Sequence, residues 1–277
     1  MKDNCKGKVF FVGAGPGDPE LITIKAAKTI AKCPVVIYAG SLVSEEIIKK
    51  YVCRDININI DTKVYNSASM TLEDVLEVMV NASSAGLDVA RVHTGDPSIY
   101  SSISEQIREL NKLQICWEVI PGVSSFQAAA ATLGQELTLP ELSQTIILTR
   151  VEGRTAVPAK EDLALLAQTR ATMVFFLSSQ KNLLKKLVDE LIPYYGHNCP
   201  AWVVYRASWP DQKIIKSDLI NLESEMLLAG ISSQSIIVVG DVLGANDFEN
   251  SKLYSSQFSH LFRMAETRNS EMKEVIL

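Results

Sequence analysis

The chain has 277 residues, 27 Lys+Arg against 32 Asp+Glu for a net charge of −5, and 47% hydrophobic against 21% charged residues. This is the composition of one large or two ordinary globular domains and excludes a disordered chain. The mild acidity argues against a broad nucleic-acid or anionic-membrane footprint. No apolar stretch approaches the roughly 18 residues of a spanning helix, and residues 1–8 lack a secretory apolar region, so a cytoplasmic protein is expected. The five cysteines (Cys5, Cys33, Cys53, Cys116 and Cys199) are odd in number and form no Cys-x-x-Cys, while His93, His197 and His260 stand far apart. Buried reduced thiols, with no metal site and no disulfide framework, are expected.

In chain order, residues 8–13 read as a buried strand, 21–33 as an amphipathic helix, 35–39 as a strand and 45–52 as a helix. Thr71-x-x-Asp74 opens a helix over 71–85 with a capping box, and 89–94 is a strand. Ser102-x-x-Glu105 begins another helix, 117–120 is a strand, and Ser124-x-x-Gln127 heads an Ala-rich helix that stops at Gly134. Such alternation predicts a mostly parallel sheet covered by helices. In the second half, 145–149, 172–177, 201–205, 213–215 and 235–239 read as strands. Only two or three helices intervene, notably 182–192 and 221–228, so antiparallel pairing and a mixed sheet are expected. The divisions read as an N-terminal α/β domain over 1–120, a C-terminal mixed α/β domain over 121–243, and a peripheral tail over 244–277. The tail's only core-like feature is Phe258-x-x-Leu261-Phe262, a short peripheral helix or a partly disordered segment.

Three loops follow strands. Gly13-Ala-Gly-Pro-Gly-Asp-Pro19 lets the backbone turn sharply and approach a ligand, yet position 18 is Asp and no acid ends the second strand, which excludes a dinucleotide fingerprint. No Gly-x-x-x-x-Gly-Lys-[Ser/Thr] occurs. Gly95-Asp-Pro-Ser-Ile-Tyr100 ends a further strand, so these two loops face one crevice at the carboxyl edge of the sheet, and Pro121-Gly-Val-Ser-Ser125 is a loop that begins a helix. His93 reads as a packed residue rather than a base, and Ser124 equally as an N-cap or a ligand contact. No Gly-x-Ser-x-Gly elbow or assembled triad is present.

These three motifs resemble the signatures of the tetrapyrrole methylase family, which transfers methyl groups from S-adenosylmethionine (SAM) to intermediates of corrin and sirohaem synthesis. Tyr38-Ala-Gly-Ser-Leu-Val43, Met70-Thr-Leu-Glu73, Leu137-Thr-Leu-Pro-Glu141 and Tyr205-Arg-Ala-Ser-Trp-Pro210 are similar to the branch that methylates C-11 of precorrin-4 or cobalt-precorrin-4. The neighbouring rival is another corrin methylase of different regiochemistry, of precorrin-2 or precorrin-3 type. The match spans about residues 8–243; Ser101 stands where the branch commonly has Gly.

The resemblance implies two α/β domains with an active-site trough between them, the first sheet mostly parallel and the second mixed. It implies a SAM site, with S-adenosyl-L-homocysteine as product, formed by Pro16, Gly95, Asp96, Ile99, Tyr100, Ser124, Ser125, Leu177, Ala207 and Gln234. It further implies a homodimer in the cytoplasm, a small-molecule tetrapyrrole substrate, and neither nucleic-acid nor membrane partners. Because that acceptor is a polycarboxylate, Arg150, Arg154 and Arg206, which adjoin the matched motifs, are the candidate carboxylate ligands. No catalytic side chain is assigned: an electron-rich pyrrolic carbon is already a nucleophile, and alignment can supply much of the acceleration.

Overall fold

The structure, a computed structural model, describes residues 6–52 and 62–248, with 250, 251, 255, 258, 259, 261 and 264 of the tail. The expectations for Cys5, Cys53, His260, Phe262 and residues 265–277 lie outside the described residues.

The first half contains β1 (Lys8–Gly13), α1 (Ile24–Lys32), β2 (Val35–Tyr38), α2 (Glu45–Tyr51), β3 (Lys63–Asn66), α3 (Leu72–Ser84), β4 (Val89–His93), α4 (Ile103–Lys112) and β5 (Cys116–Ile120). Its five strands lie in the order β3-β2-β4-β1-β5, and every pair is parallel. A parallel sheet is covered on both faces, so its inner strands β1, β2 and β4 are buried almost throughout. Alternation along β1 divides the core accordingly. Val9 and Phe11 pack with Val75, Met79 and Leu110 beneath α3 and α4, whereas Phe10 and Val12 pack with Ala26, Ile30 and Ile47 beneath α1 and α2.

The second half contains α5 (Ser125–Leu133), β6 (Ile146–Arg150), α6 (Leu163–Ala167), β7 (Thr172–Phe176), α7 (Lys181–Tyr195), β8 (Pro200–Tyr205), β9 (Lys213–Asp218), α8 (Leu222–Leu228) and β10 (Ser235–Val239). The sheet runs β6-β7-β10-β8-β9; β6 and β7 are parallel, and the remaining neighbours are antiparallel. Met173 and Phe175 face Leu184, Leu187, Leu191 and Met226 on one side. Val174 and Phe176 face Ala128, Ala129 and Leu133 of α5 on the other. The two α/β halves with one parallel and one mixed sheet are those expected from the sequence.

Several local expectations change. Helix α1 starts at Ile24 rather than Leu21, because the Thr23 hydroxyl accepts the Ala26 N–H and caps it there. The Thr71–Asp74 capping box forms as expected. Helix α4 begins after Ser102 as expected, although Ser102 is left-handed (φ 52°) without a side-chain cap bond and its carbonyl accepts the Gln106 amide. Strand β3 and helix α6 were absent from the sequence reading. Three of the four β3 residues are exposed on a sheet edge, so no apolar run marks them, and α6 is a five-residue helix. Helix α7 continues past Ile192 to Tyr195 with Pro193 in its last turns. Cys33 and Cys199 are buried free thiols, both pushed up to about 12 by burial, but Cys116 is disulfide-bonded, which corrects the reading of reduced thiols there.

The loops leaving β1, β4 and β5 are packed backbone against backbone. Gly15 and Gly95 exchange hydrogen bonds as an antiparallel bridge (3.3 and 2.8 Å), and the Ala14 N–H donates to the His93 carbonyl at 2.8 Å. A Cβ on Gly13 would lie 2.6 Å from the Gly122 nitrogen and 2.7 Å from the Gly95 oxygen. One on Gly122 would overlap the Gly95 carbonyl and sit 2.8 Å from the Gly13 Cα. The colliding atoms are main chain and cannot rotate away. Gly122→Ala should therefore cost about 3 kcal/mol or more. Denaturant titration of the variant checks this; an unchanged midpoint would mean that the loops are not in contact.

Candidate active site

The carboxyl ends of β1 and β4, adjacent strands of a parallel sheet, are where such folds bind ligands. A cavity of about 410 Å³ opens there between the two halves, within the usual range for a small-molecule site. All ten residues expected around SAM line it: Pro16, Gly95, Asp96, Ile99, Tyr100, Ser124, Ser125, Leu177, Ala207 and Gln234.

Asp96 holds two of the loops together. One carboxylate oxygen accepts the Ser98 N–H (2.8 Å) and hydroxyl, while the other accepts the Gly122 N–H at 2.9 Å. Partial burial pushes its pKa up, but the Ser98 hydroxyl and the two N–H groups together outweigh that, and the net shift is downward. Asp96 is therefore an anion at neutral pH. Ser101 sits in ordinary negative-φ backbone, and its hydroxyl turns back onto the Asp96 and Ile99 carbonyls (3.3 and 3.2 Å), so the loop keeps its course without glycine. Ser124 fills both readings offered for it. It is the N-cap of α5, with its N–H held by the Gln127 side chain at 3.0 Å, and it lines the cavity.

Tyr100, Leu177, Arg206 and Gln234 line the same cavity, and all four have positive φ (53°, 53°, 47° and 50°). Each costs on the order of 1–2 kcal/mol in that region, and such strain concentrates at functional sites. The arrangement leaves Leu177 62% exposed and Tyr100 46% exposed against the opening.

The second half is tied to the first across this cavity. Trp209 donates its indole N–H to the Pro16 carbonyl (2.9 Å), Ser208 accepts the Asp18 N–H (3.0 Å), and the Gln234 amide donates to the Ser41 carbonyl (2.9 Å). Trp209 lies so close over Gly17 that a Cβ there would overlap the indole. Trp209 was visible in the sequence only as part of a motif. Its partner is some 190 residues away, and spacing carries no signal at that range.

The three arginines separate. Arg206 lines the cavity, ion-pairs with Asp211 and stacks over Trp209 at 4.1 Å; its Nε is buried without a partner. Arg150 and Arg154 do not line it. The Arg150 guanidinium donates to the Thr155 and Ala156 carbonyls (3.0 and 2.8 Å), closing its own loop, and its charge reaches Tyr100. Arg154 is exposed on that loop. Burial raises the Tyr100 pKa, so its phenol stays neutral. Among the described residues, no group of three or more His, Cys, Asp or Glu side chains could hold a metal ion, and no helix is long and apolar enough to cross a membrane.

The chain belongs to the Tetrapyrrole (Corrin/Porphyrin) Methylases, whose family model matches residues 8–223. It is 45% identical over 258 residues to a precorrin-4 C(11)-methyltransferase of Pseudomonas aeruginosa, covering 93% of this chain and 99% of that one. It is 49% identical over 257 residues to a cobalt-precorrin-4 C(11)-methyltransferase of Methanocaldococcus jannaschii, covering 92% and 96%. The X-ray structure of a cobalt precorrin-4 methyltransferase superposes with a TM-score of 0.80 at 42% identity, over 86% of this chain and 96% of that one. A uroporphyrin-III C-methyltransferase from Thermus thermophilus, complexed with S-adenosylhomocysteine, superposes at 0.68 and 25% identity, over 86% and 94%.

His93 is 4% exposed, packs beside Phe11 at 6.1 Å and does not line the cavity. Burial first, then the Arg91 charge, lower its pKa from 6.5 to about 3, so it is neutral in the folded protein. The unfolded chain binds this proton first. Stability should therefore fall as pH drops below about 6.5 and continue to fall towards about 3. His93 contributes up to about 2 kcal/mol of the loss between pH 6.5 and 5. Urea titrations near pH 7 and pH 5 should give a smaller difference for His93→Phe than for the parent; an equal difference would rule His93 out.

Proposed function

We propose that the protein is a SAM-dependent C-methyltransferase that methylates C-11 of precorrin-4 or cobalt-precorrin-4 in corrin ring synthesis. What carries the reading is that, in a chain of this family, the ten residues expected around SAM come from loops of both halves and line a single cavity. The relatives at 45% and 49% identity carry the C(11) name over nearly their whole length.

SAM, when bound, supplies a methyl group made electrophilic by its sulfonium sulfur. The residues present suit it: apolar surface from Pro16, Ile99, Leu177 and Ala207, hydroxyls from Ser124 and Ser125, and the Asp96 anion held at the wall. Asp96 is shifted down and Tyr100 up, so neither is poised near neutral pH as a general base. The task of the chain is to hold the donor methyl and an already nucleophilic ring carbon in line, which can contribute up to about 7–11 kcal/mol. Arg150, Arg154 and Arg206 are the proposed contacts for the acceptor's carboxylates. The reading also includes the domain limits 1–120 and 121–243 with a tail over 244–277, a homodimer, and a cytoplasmic location. Packing of α5 on the second sheet favours the first limit. Sedimentation should give twice the 30.5 kDa chain mass.

The deciding experiment incubates the purified protein with methyl-labelled SAM and either precorrin-4 or cobalt-precorrin-4, and locates the label by NMR. A label at C-11 is expected; a label at another carbon would reassign the regiochemistry. Calorimetry after exhaustive chelation should still give one SAM site per chain.

Gly95→Val should abolish SAM binding and leave the fold. Space is available, the nearest atom to a new Cβ being the Ser125 nitrogen at 3.5 Å, but φ is +62°, where a β-branched residue is strongly disfavoured. Wild-type SAM affinity with native circular dichroism would exclude this loop from the site.

Arg154→Ala and Arg150→Ala should weaken acceptor use by about 10- to 100-fold with SAM affinity unchanged, as expected for a lost charge-assisted bond. Arg206→Ala should lower both, because Arg206 also supports Trp209 on the Pro16 wall. Full activity of all three at limiting acceptor would move the carboxylate contacts elsewhere.

A further inference from the structure

Arg91, in the middle of β4, is 8% exposed, and among the described residues no carboxylate pairs with it. Its register partners are Phe11 and Ile37, so its side chain leaves the sheet among the apolar residues beneath α3 and α4. Burial lowers its pKa from 12.5 to about 10, which keeps it charged at neutral pH. A buried cation without a counter-charge is costly, and an apolar residue of similar volume would serve the core better. The charge therefore calls for an account outside the core.

Its donors supply one. Nη1 donates to the Ser67 hydroxyl at 2.9 Å, and that hydroxyl donates to the Tyr38 carbonyl at 3.1 Å. Next to it, the Asn66 side chain accepts the N–H groups of Gly40 (3.2 Å) and Ala68 (2.9 Å), lacing the loop after β2 to the loop after β3. On the other side Nε reaches the Gln106 side-chain oxygen at 3.4 Å, and the Gln106 amide donates to the Ser102 carbonyl at 3.0 Å. Ser102 ends the segment carrying Gly95, Asp96, Ile99 and Tyr100. Leu42, on the loop after β2, lines the same cavity, and Ser41 beside it holds Gln234.

We propose that Arg91 is a positioning residue for methyl transfer, joining the 38–43 loop through Ser67 to the end of the 94–102 loop through Gln106 and so fixing these two cavity-lining loops of the first half relative to each other. It touches neither ligand. The inference rests on the methyltransferase reading above.

The test uses Arg91→Met, Arg91→Lys, Ser67→Ala and Gln106→Leu in the full chain, with SAM affinity by calorimetry and steady-state methylation of precorrin-4. Arg91→Met should leave the melting temperature unchanged or raised while lowering kcat by about 10- to 100-fold, the scale of a lost alignment. Arg91→Lys should recover part of this, since an ammonium can satisfy one of the two partners but not both. Ser67→Ala and Gln106→Leu should each lower kcat by about tenfold, a lost polar partner having loosened one of the two tethered loops. Parent values in all variants, or losses that only follow the melting temperature, would overturn the proposal. If Arg91→Met does not fold, parent values in Ser67→Ala and Gln106→Leu overturn it alone. A parent protein that binds no SAM would instead remove the methyltransferase reading, and this inference with it.

Discussion

The geometry of the site depends on main chain touching main chain where the loops after β1, β4 and β5 cross. Gly13, Gly95 and Gly122 meet there with no room for a Cβ at two of the three positions. Side chains at these points would splay the loops and separate the groups that line the cavity. With glycine, the loops brace one another through the Gly15–Gly95 bridge and through Asp96, whose carboxylate spans from its own loop to the Gly122 N–H. A parallel sheet delivers these three strand ends to one edge; the glycines let them converge.

Convergence on one side leaves the other wall to be supplied by the second half, and that wall is made from strained backbone. Leu177, Arg206 and Gln234 follow or precede strands of the second sheet, and each is left-handed. A left-handed residue at a strand end reverses the chain abruptly, and the Arg206 N–H to Gln234 carbonyl bond (2.9 Å) holds two such reversals against each other. Strain of about 1–2 kcal/mol per residue persists only where surrounding packing overrides it. Here the buried β7, β8 and β10 supply that packing, all five residues of β7 and of β10 being buried.

Legibility in the sequence followed the physics that each feature obeys. Strands β1, β2, β4, β7 and β10 announce themselves because burial on both faces demands an apolar run, and Thr71–Asp74 because its cap is local. Strand β3 was missed, as a mostly exposed edge needs no such run. Ser102 heads α4 as read, but its left-handed backbone (φ 52°) and the absence of a side-chain cap bond are not written in the local residue pattern. The glycine loops could be recognised as ligand-approaching turns, but the ten lining residues came from family resemblance. Contacts such as Trp209 on Gly17, or Arg91 with Ser67, join parts of the chain that neither periodicity nor motif spacing relates.

A polyanionic acceptor and a chain of net charge −5 are compatible because charge is distributed unevenly. Asp96 is an anion held by hydrogen bonds from its own loops, Asp211 is paired with Arg206, and the Glu161 charge reaches Tyr100. Arg154 is exposed without such a partner among the described ion pairs, and Arg150 directs its donors to neutral carbonyls, with Glu152 within reach of its charge. Within a Debye length of roughly 8 Å, such local cations outweigh a net charge spread over the whole surface. The Arg206–Asp211 pair differs. A carboxylate arriving at Arg206 must compete with Asp211 or use the buried Nε, which has no partner. Because the same guanidinium stacks on Trp209, and Trp209 holds Pro16, a ligand at Arg206 acts on the opposite wall of the cavity through two contacts. Arg206 and Pro16, from different halves of the chain, are thus mechanically connected on this flank.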